Sequence, residues 1–575
     1  MITRKLRAIF WPRLFDSFKG GYTSANLSAD LIAGVTVGLI ALPLALALGI
    51  ASVPPGIATP FPAPAIGLFT AVIAGFLISF LGGSRVQIGG PTAAFIPVVL
   101  MVIEKHGYTG LMLATLMAGV ILVIMGLARM GTLIKYIPWP VVSGFTTGIA
   151  ISIMASQASD FLGISAGDPP PREFLEKVPW LVGRLPTLNW PSLLTGVGAL
   201  ALILLWPRLK LKRIPGSIVA MLGFTVIVAV FGLQAGAGIA TIGSKFGPDA
   251  IPTGLPPFRM PAMSMDLIRE LIGPATAIAL LGAIESLLSA VVADGLTGKR
   301  HDSNTELIAQ GIANIVCPFF CGLPATGAIA RTSANVANGG RTPISGIVHS
   351  ITLLCIVLLF ARFASYVPMA VMAAVLVAVS LRMGEWHELL RLRQMPLSDS
   401  VVLLTTMSLT VIFDLVVAVQ VGMILAAVLF IRRVAETTEV AAVTPEDMLV
   451  TPEQLTHGKE IPPGVVVYRI FGPFLFGAAE KMEDAMQQLG PLPPVLILQL
   501  HLVSAMDATA LNALESVVER FKHAGGTVII SGIHRQPLEL LRKAKFIEVI
   551  GRENFRGTFD EALLRARALL ETAPG

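Results

Sequence analysis

The sequence predicts a polytopic α-helical membrane protein followed by a small cytoplasmic α/β domain. Three observations support this fold class. Hydrophobic residues make up 54% of the 575 residues and charged residues only 14%, whereas about a quarter of a soluble chain is charged. Apolar runs long enough to cross a bilayer follow one another up to about residue 433. Beyond that point charged residues return, and strand-like and helix-like segments alternate.

The apolar part divides into fourteen predicted membrane elements. Twelve runs approach or exceed the roughly 20 residues that a membrane-spanning helix needs, and two shorter runs, 91–104 and 327–338, cannot cross alone. The twelve longer runs are 29–53, 61–82, 109–131, 138–163, 192–207, 215–233, 268–293, 304–322, 343–361, 367–383, 397–413 and 414–433.

Charge placement predicts the orientation of these elements. If residues 1–28 lie inside, Lys and Arg fall mainly in the loops that face the cytoplasm, which also places the C-terminus inside. Residues 1–28 show no signal-peptide cleavage pattern and are predicted to lie on the cytoplasmic membrane surface. The stretch Ser303-Asn-Thr-Glu306 predicts a capping box that opens the ninth element.

The two short runs occupy matching positions in two repeats of seven elements, about 29–233 and 268–433. QIGGPTAAFIPVV (87–99) and GLPATGAIARTSANV (322–336) each place Gly and Pro before a short helix. The breaks, at Pro91 and Gly327, both lie about 60 residues into their repeat. An odd number of elements per repeat makes the second repeat inverted relative to the first. Such paired interruptions are typical of transporter binding sites, although a pair of simple helix kinks is the alternative.

Broken helices of this kind favour an anion site. Each half-helix start offers unpaired N–H groups and a partial positive charge, so two facing starts can hold an anion. Arg331, one turn into the second half-helix, would add positive potential. The predicted substrate-binding residues are Thr92, Ala93, Ala94, Gly327, Ala328 and Arg331.

Glu285 is the deepest acidic residue of the membrane part, and intramembrane carboxylates are usually functional. Ser289, four residues on, lies on the same helix face. Together they predict a site for a coupling cation, either a proton on the carboxyl group or Na⁺ held by oxygens. The alternative is an ion pair between Glu285 and Arg331 that only joins helices.

Several functional classes are not expected. Cys317 and Cys321 are one helical turn apart, but no His or further Cys stands near them to complete a metal site. We therefore predict no metal and no cofactor. No P-loop or nucleophile–base pair is visible, so we expect neither an enzyme nor ATP-driven transport. The net charge of +6 reflects cytoplasmic loops, so nucleic acid is not expected as a partner.

The C-terminal part is predicted as a polar linker, 434–463, and an α/β domain, 464–575. Apolar strands are expected at 465–472, 494–500 and 527–532. Amphipathic helices are expected within the segments GAAEKMEDAMQQL, ALNALESVVERFKHAGG and QPLELLRKAKF.

Four stretches of the membrane part resemble the signatures of the sulfate permease (SulP) family, prokaryotic relatives of the animal anion solute carriers. They are LIAGVTVGLIALPLALALG, VQIGGPTAAF, GLPATGAIART and FDLVVAVQVG. The C-terminal part resembles the STAS domain of that family. The resemblance implies a core-and-gate inverted-repeat fold, a homodimer in the bacterial cytoplasmic membrane, and an elevator-like movement.

The resemblance also implies a function. We expect a secondary active transporter of a small inorganic oxyanion, sulfate first, and the family's anion site falls on Thr92, Ala93, Gly327 and Ala328, near Arg331. Sodium-coupled bicarbonate members carry aspartate at the position of Glu285 and threonine at those of Ser289 and Ile329. These differences favour H⁺ symport. A Na⁺-coupled bicarbonate or C4-dicarboxylate transporter, and an uncoupled anion channel, are the alternatives.

The STAS resemblance leaves a regulatory role open. Related anti-anti-sigma domains carry a phosphorylated hydroxyl in the region that matches Asp507-Ala-Thr-Ala510, which makes Thr509 a candidate regulatory residue. Ala508 replaces the usual Ser there, so an ordinary position in the first turn of a helix is the favoured interpretation. The domain is a candidate to bind a cytoplasmic regulatory protein. A membrane-tethered signalling scaffold without transport is a further alternative.

Overall fold

The structure is a computed structural model with two compact units, Met1–Ile424 and Leu425–Gly575. It describes residues 10–19, 21–54, 57–132, 138–164, 170–171, 173–209, 215–247, 250–251, 254, 256, 258–261, 263–413, 415–442, 460–487, 489 and 491–572.

Each of the fourteen predicted membrane elements corresponds to a helical stretch among the described residues. Seven stretches are long and apolar enough to cross a membrane, and four shorter apolar helices accompany them. After a short helix α1 (Arg13–Lys19), the membrane helices are α2 (Ser24–Ser52), α3 (Ala63–Leu81), α4 (Ile96–Leu127), α5 (Trp139–Leu162), α6 (Trp190–Leu205), α7 (Gly216–Val230), α8 (Met265–Thr297), α9 (Ser303–Val316), α10 (Ile329–Ala337), α11 (Ile344–Ala364), α12 (Met369–Met383), α13 (Leu397–Ile412) and α14 (Leu415–Thr437).

Short helical segments lie in the connections between these helices. The α-helical ones are Phe174–Gly183, Leu233–Gly236, Ile242–Phe246 and Trp386–Leu390, and the 3₁₀ ones are Ala93–Phe95, Leu185–Thr187, Trp206–Leu209, Cys317–Phe320 and Leu392–Gln394.

Both predicted half-helices are present. The first begins at the 3₁₀ turn Ala93–Phe95 and ends where Gly107 adopts φ +67° inside α4. That backbone conformation suits glycine and interrupts the helix, so α4 contains a half-helix, 93–106, and a spanning segment, 108–127. The second half-helix is α10, only nine residues long.

The membrane helices pack in two groups, and each group takes helices from both predicted repeats. One group, called here the first helix group, comprises α2, α3, α4, α8, α9, α10 and α11, and the second comprises α5, α6, α7, α12 and α13. Glycines allow backbones to meet inside each group. A Cβ on Gly119 of α4 or on Gly311 of α9 would lie 2.6 Å from the carbonyl oxygen of the other residue. In the second group, Gly144 and Gly148 of α5 face α13 in the same way.

A two-stranded ladder connects the two breaks. Strand β1 (Gly89–Gly90) precedes the first half-helix, strand β2 (Thr326–Gly327) precedes the second, and the two pair in antiparallel fashion with Gly89 opposite Gly327. Equivalent segments that run antiparallel are what inverted repeats require. The ladder places the starts of the two half-helices side by side.

The second unit contains a five-stranded sheet in the order β3-β4-β5-β6-β7. Its strands are β3 (Glu439–Ala442), β4 (Val465–Phe471), β5 (Val495–Leu502), β6 (Thr527–Ser531) and β7 (Phe555–Arg556), and β3 alone is antiparallel to its neighbour. Its helices are α15 (Phe476–Gln487), α16 (Ala508–His523), α17 (Arg535–Lys543), α18 (Phe546–Ile550) and α19 (Phe559–Thr572), with a 3₁₀ turn at Arg552–Asn554.

The three predicted strands and three predicted helices of this unit are present. Strand β3 lies instead within the stretch 434–463 that the sequence presents as a linker, and α14 continues into the same stretch as far as Thr437. The side chain of Val440 packs against the buried core of the sheet. A strand of four residues among charged ones gives little periodic signal, which is why it escaped prediction.

The predicted capping box at residues 303–306 is wrong. Asp302 is the N-cap of α9, and its carboxylate accepts from the N–H of Thr305 at 2.9 Å. The carboxylate of Glu306 instead accepts from the N–H groups of Gly83 and Ser84 at 2.9 and 3.1 Å. Glu306 therefore caps the loop after α3, where it is fully buried.

Candidate functional site

The β1–β2 ladder and the residues beside it bring the two breaks into direct contact. The N–H of Ala328 donates to the carbonyl of Ile88 at 2.9 Å. In return, the N–H of Ile88 donates to the hydroxyl of Thr332 at 3.1 Å. Both bonds join one repeat to the other across the starts of the half-helices.

The amide groups left for a ligand can be assigned from these bonds. At the first half-helix, Ala93 and Ala94 are buried and occupy the first turn, whose N–H groups have no partner within a helix. At the second, the N–H of Ala328 is already used by the ladder. The next two residues, Ile329 and Ala330, are exposed and begin the helix. The structure thus moves the available amides one residue beyond the predicted Ala328.

Helix α8 passes beside both breaks and carries Glu285. The Thr92 hydroxyl donates to the Glu285 carboxylate at 2.8 Å, and the carboxylate is half-buried. Two further bonds fix α8 in place: Thr326 donates to the carbonyl of Gly282 at 2.9 Å, and the Gln87 amide donates to that of Ser286 at 3.0 Å. A carboxylate therefore lies at the start of the first half-helix.

Arg331 ties the second half-helix to the first break. Its side chain is almost fully buried, and its guanidinium donates to the carbonyls of Gly89, at 3.4 Å, and of Pro91. Among the described residues Arg331 and Glu285 form no direct ion pair, although their opposite charges attract each other. The guanidinium charge still stands beside the half-helix starts, since Gly89 and Pro91 precede the first of them.

Ser289, one turn after Glu285 in α8, contacts the second half-helix. Its hydroxyl is fully buried and lies 3.0 Å from the hydroxyl of Thr332, behind the second half-helix. Ile329 contributes no side-chain oxygen. Glu285 thus contacts the residue before the first half-helix, and Ser289 contacts the second half-helix.

The other residues named from the sequence are Cys317, Cys321 and Thr509. Cys317 and Cys321 are buried and carry free thiols, and no cluster of three or more His, Cys, Asp or Glu occurs among the described residues. Thr509 is exposed in the first turn of α16, whose N-cap Asp507 accepts from the N–H of Ala510 at 2.9 Å.

Several polar residues at the site escaped the sequence analysis. Thr332 accepts a bond that joins the two breaks, Gln87 joins the first break to α8, and Glu306 caps the loop that leads to β1. Asp30 is fully buried in α2 and accepts from the backbone N–H groups of Arg341 and Thr342. The visible signal for Asp30 was its place as an acidic residue at the start of an apolar run. A carboxylate buried there needs hydrogen-bond donors such as these two N–H groups.

Models of known families match both parts of the chain. The model described as the sulfate permease family matches residues 27–406, and that described as the STAS domain matches residues 458–562. The chain belongs to the sulfate permease family.

Proteins similar to this chain align with it over almost its whole length. It is 40% identical to "Putative sulfate transporter YvdB" of Bacillus subtilis, over 96% of this chain and 99% of that one. It is 30% identical to the bicarbonate transporter BicA of Picosynechococcus, over 94% of this chain and 95% of that one. The structure of the murine Slc26a9 anion transporter superposes with a TM-score of 0.85 over 98% of this chain and 95% of that one. At 19% identity, that likeness shows the fold alone.

Membership of the family confirms three predictions from the sequence. The chain is a multi-pass membrane transporter and not an enzyme. Its membrane part has the fold of the animal anion solute carriers, and a STAS domain with a sheet follows.

Proposed function

We propose that this sulfate permease family member is a secondary active transporter that moves a small inorganic oxyanion by H⁺ symport. Sulfate is the first candidate for that oxyanion. The β1–β2 pairing is the observation that supports this proposal most strongly. It places the first-turn amides of Ala93 and Ala94 and those of Ile329 and Ala330 at neighbouring helix starts. Such amides bind anions without a cationic side chain.

Small residues allow an anion to approach this backbone. Thr92, Gly327 and Ala328 present little bulk at the two starts, and Arg331 adds a full positive charge within hydrogen-bonding range of Gly89 and Pro91. Backbone amides recognise charge and size, which suits a tetrahedral oxyanion and sets no strict chemical selectivity.

Glu285 supplies the coupling in this proposal. Its carboxylate is bonded to Thr92, the residue that precedes the first half-helix. A negative charge there repels an incoming anion, and protonation removes the repulsion. Proton binding and anion binding therefore favour each other, and by linkage the effect is reciprocal. Movement of the first helix group against the second would then carry both across the membrane in an elevator-like step.

Uptake into proteoliposomes tests the coupling. We expect labelled sulfate to accumulate when the vesicle exterior is more acidic than the interior, and to accumulate independently of Na⁺. Glu285→Gln keeps an acceptor for Thr92 but holds no exchangeable charge. We therefore expect the variant to fold normally, to lose accumulation driven by the pH gradient, and to retain at most downhill exchange. Wild-type accumulation in Glu285→Gln, with unchanged pH dependence, would refute the role of Glu285.

The similarity to BicA supports a second candidate, Na⁺-coupled bicarbonate transport. The lack of a side-chain oxygen at Ile329 weighs against a sodium site. Bicarbonate uptake that requires Na⁺ in the same vesicles would select this candidate. Anion flux indifferent to both pH and Na⁺ would select an uncoupled channel. The homodimer, the bacterial cytoplasmic membrane and a regulatory partner of the STAS domain remain predictions.

A further inference from the structure

A second polar cavity lies at the membrane face where α2 begins. It has a volume of about 600 Å³, and its lining includes Asp16, Tyr22, Asn26, Arg85, Lys299 and Arg341. Residues just after the C-terminal end of the second half-helix, Gly339 and Gly340, also line it. The cavity therefore lies at the opposite end of α10 from the proposed anion site.

The cavity has an excess of unneutralised positive charge. Arg85 and Lys299 make no side-chain hydrogen bond or ion pair with any residue that the structure describes, and Arg85 is half-buried. Arg341 donates one bond, to the side chain of Asn26 at 3.1 Å. A partly buried cation without a partner favours a bound anion, because its desolvation is otherwise uncompensated.

One acidic residue among the lining residues, Asp16, does not cancel this charge. Burial alone would raise the pKa of Asp16, but hydrogen bonds from Arg13 and Trp11, together with the positive charges of Arg13 and Arg85, outweigh it and hold the pKa below its usual value. The carboxylate is thus ionised and already bonded, at 2.8 Å to Arg13 and 2.7 Å to Trp11. Among the lining residues three cations stand against one anion. The carboxylate of Asp30, bonded to the lining residues Tyr22 and Thr342, offsets part of this excess, so the cavity keeps a smaller positive charge.

The surroundings of the cavity are those of a lipid interface. Helix α1 exposes Phe15 and Phe18 and is tied to the end of α3 by a bond from Arg13 N–H to the carbonyl of Gly82 at 3.0 Å. On neighbouring α2, Leu27 and Leu31 are exposed, and so is Leu296, which lines the cavity from α8. Apolar side chains next to a basic recess match a ligand with a charged head and a hydrocarbon tail.

We propose that this cavity binds the phosphodiester headgroup of an anionic phospholipid. Arg85, Lys299 and Arg341 pair with the phosphate, and the side-chain NH₂ of Asn26 donates to the headgroup. The acyl chains lie along the exposed leucines of α2 and α8. All of these residues belong to, or directly adjoin, the helix group that carries both half-helices, so a bound lipid moves with the anion site.

Native mass spectrometry of the full chain tests the site. Protein in neutral detergent is mixed with phosphatidylglycerol or phosphatidylcholine, and the retained lipid is counted. We expect preferential retention of one phosphatidylglycerol. Since each basic contact with an anionic lipid contributes about 1 kcal/mol, Arg85→Gln and Lys299→Gln should each weaken it about fivefold, and the double variant about thirtyfold.

Arg300→Gln is the matched control, because Arg300 follows Lys299, is exposed and does not line the cavity. It should retain the lipid. Equal retention by the double variant and the wild type, or equal loss in Arg300→Gln, would overturn the proposal. Displacement of the lipid by millimolar inorganic phosphate would also overturn it, and would identify a site for soluble anions instead.

Discussion

Gly327 is the residue at which the site tolerates the least added volume. A Cβ there would collide with the side-chain amide of Gln87 and lie 3.2 Å from Cα of Ser286 in α8. Gly327 also pairs with Gly89 in the ladder, so neither strand can retreat without separating the half-helix starts. The sequence pointed to this glycine because it lies close to Pro324. It did not show why a larger residue cannot stand there, because Gln87 and Ser286 are distant in the chain.

We therefore expect Gly327→Ala to abolish sulfate uptake and to lower stability by about 1–3 kcal/mol, as overpacking does. Gln87→Ala in the same chain removes the clashing amide and should recover part of the melting temperature. Gly295→Ala is the control, because no atom lies within 4 Å of a Cβ at that position of α8. Thermal unfolding in detergent and vesicle uptake measure both effects. A Gly327→Ala protein that melts and transports like Gly295→Ala would show that the close approach is unimportant.

The two half-helices are held in position by the bonds that connect them. Run length, Gly and Pro sufficed to predict residues 91–104 and 327–338, which agree closely with the observed 93–106 and Ile329–Ala337. The cross-links between them could not be predicted from local patterns. Glu306 bonds to Gly83, 223 residues away in sequence, whereas the capping rule considers only a partner three residues away.

Substitution of Arg331 tests whether the geometry or the charge of its side chain matters where the two half-helices are connected. Its fork bonds two carbonyls of the first break, and a lysine ammonium cannot reproduce that planar arrangement. We expect Arg331→Lys to raise the KM for sulfate roughly tenfold, the equivalent of one lost charged hydrogen bond. Arg259→Lys, outside the breaks, serves as the control. If Arg331→Lys keeps the wild-type KM, Arg331 acts through its charge alone.

Strand β3 is an element that the sequence concealed and that should stabilise the second unit. Val440 faces the buried core of the sheet, whereas the next residue, Ala441, is exposed. In a fragment spanning 434–575, Val440→Asp should lower the melting temperature by about 5 °C or more, since it places a charge against apolar side chains. Ala441→Asp should change it little. Equal melting of the two variants would place β3 outside the cooperative unit.

At the scale of the whole membrane part, two helix groups face each other beside the anion site. A small apolar cavity lies where α8 of the first group meets α5 and α14, and it is lined by residues that include Ala277, Ile284, Phe145 and Val419. Motion of one group against the other needs such loosely filled contacts. The sequence predicted the elements of both groups, but not which side chains meet between them.

Ala277→Leu would fill this cavity and should slow transport. We expect a severalfold drop in the rate of sulfate uptake, with the melting temperature unchanged or higher, because filling a cavity with apolar contacts stabilises one arrangement of the groups. Gly273→Ala, one turn earlier in α8 with no atom within 4 Å of its Cβ, is the control. A wild-type rate in a stably folded Ala277→Leu protein would argue against sliding at this contact.

The most direct measurement is an experimental structure of the full chain with selenate, a heavier analogue of sulfate. We expect one anomalous selenium peak between the amides of Ala93 and Ala94 on one side and those of Ile329 and Ala330 on the other. Selenate bound elsewhere in the membrane part, with no peak between the two half-helix starts, would contradict it.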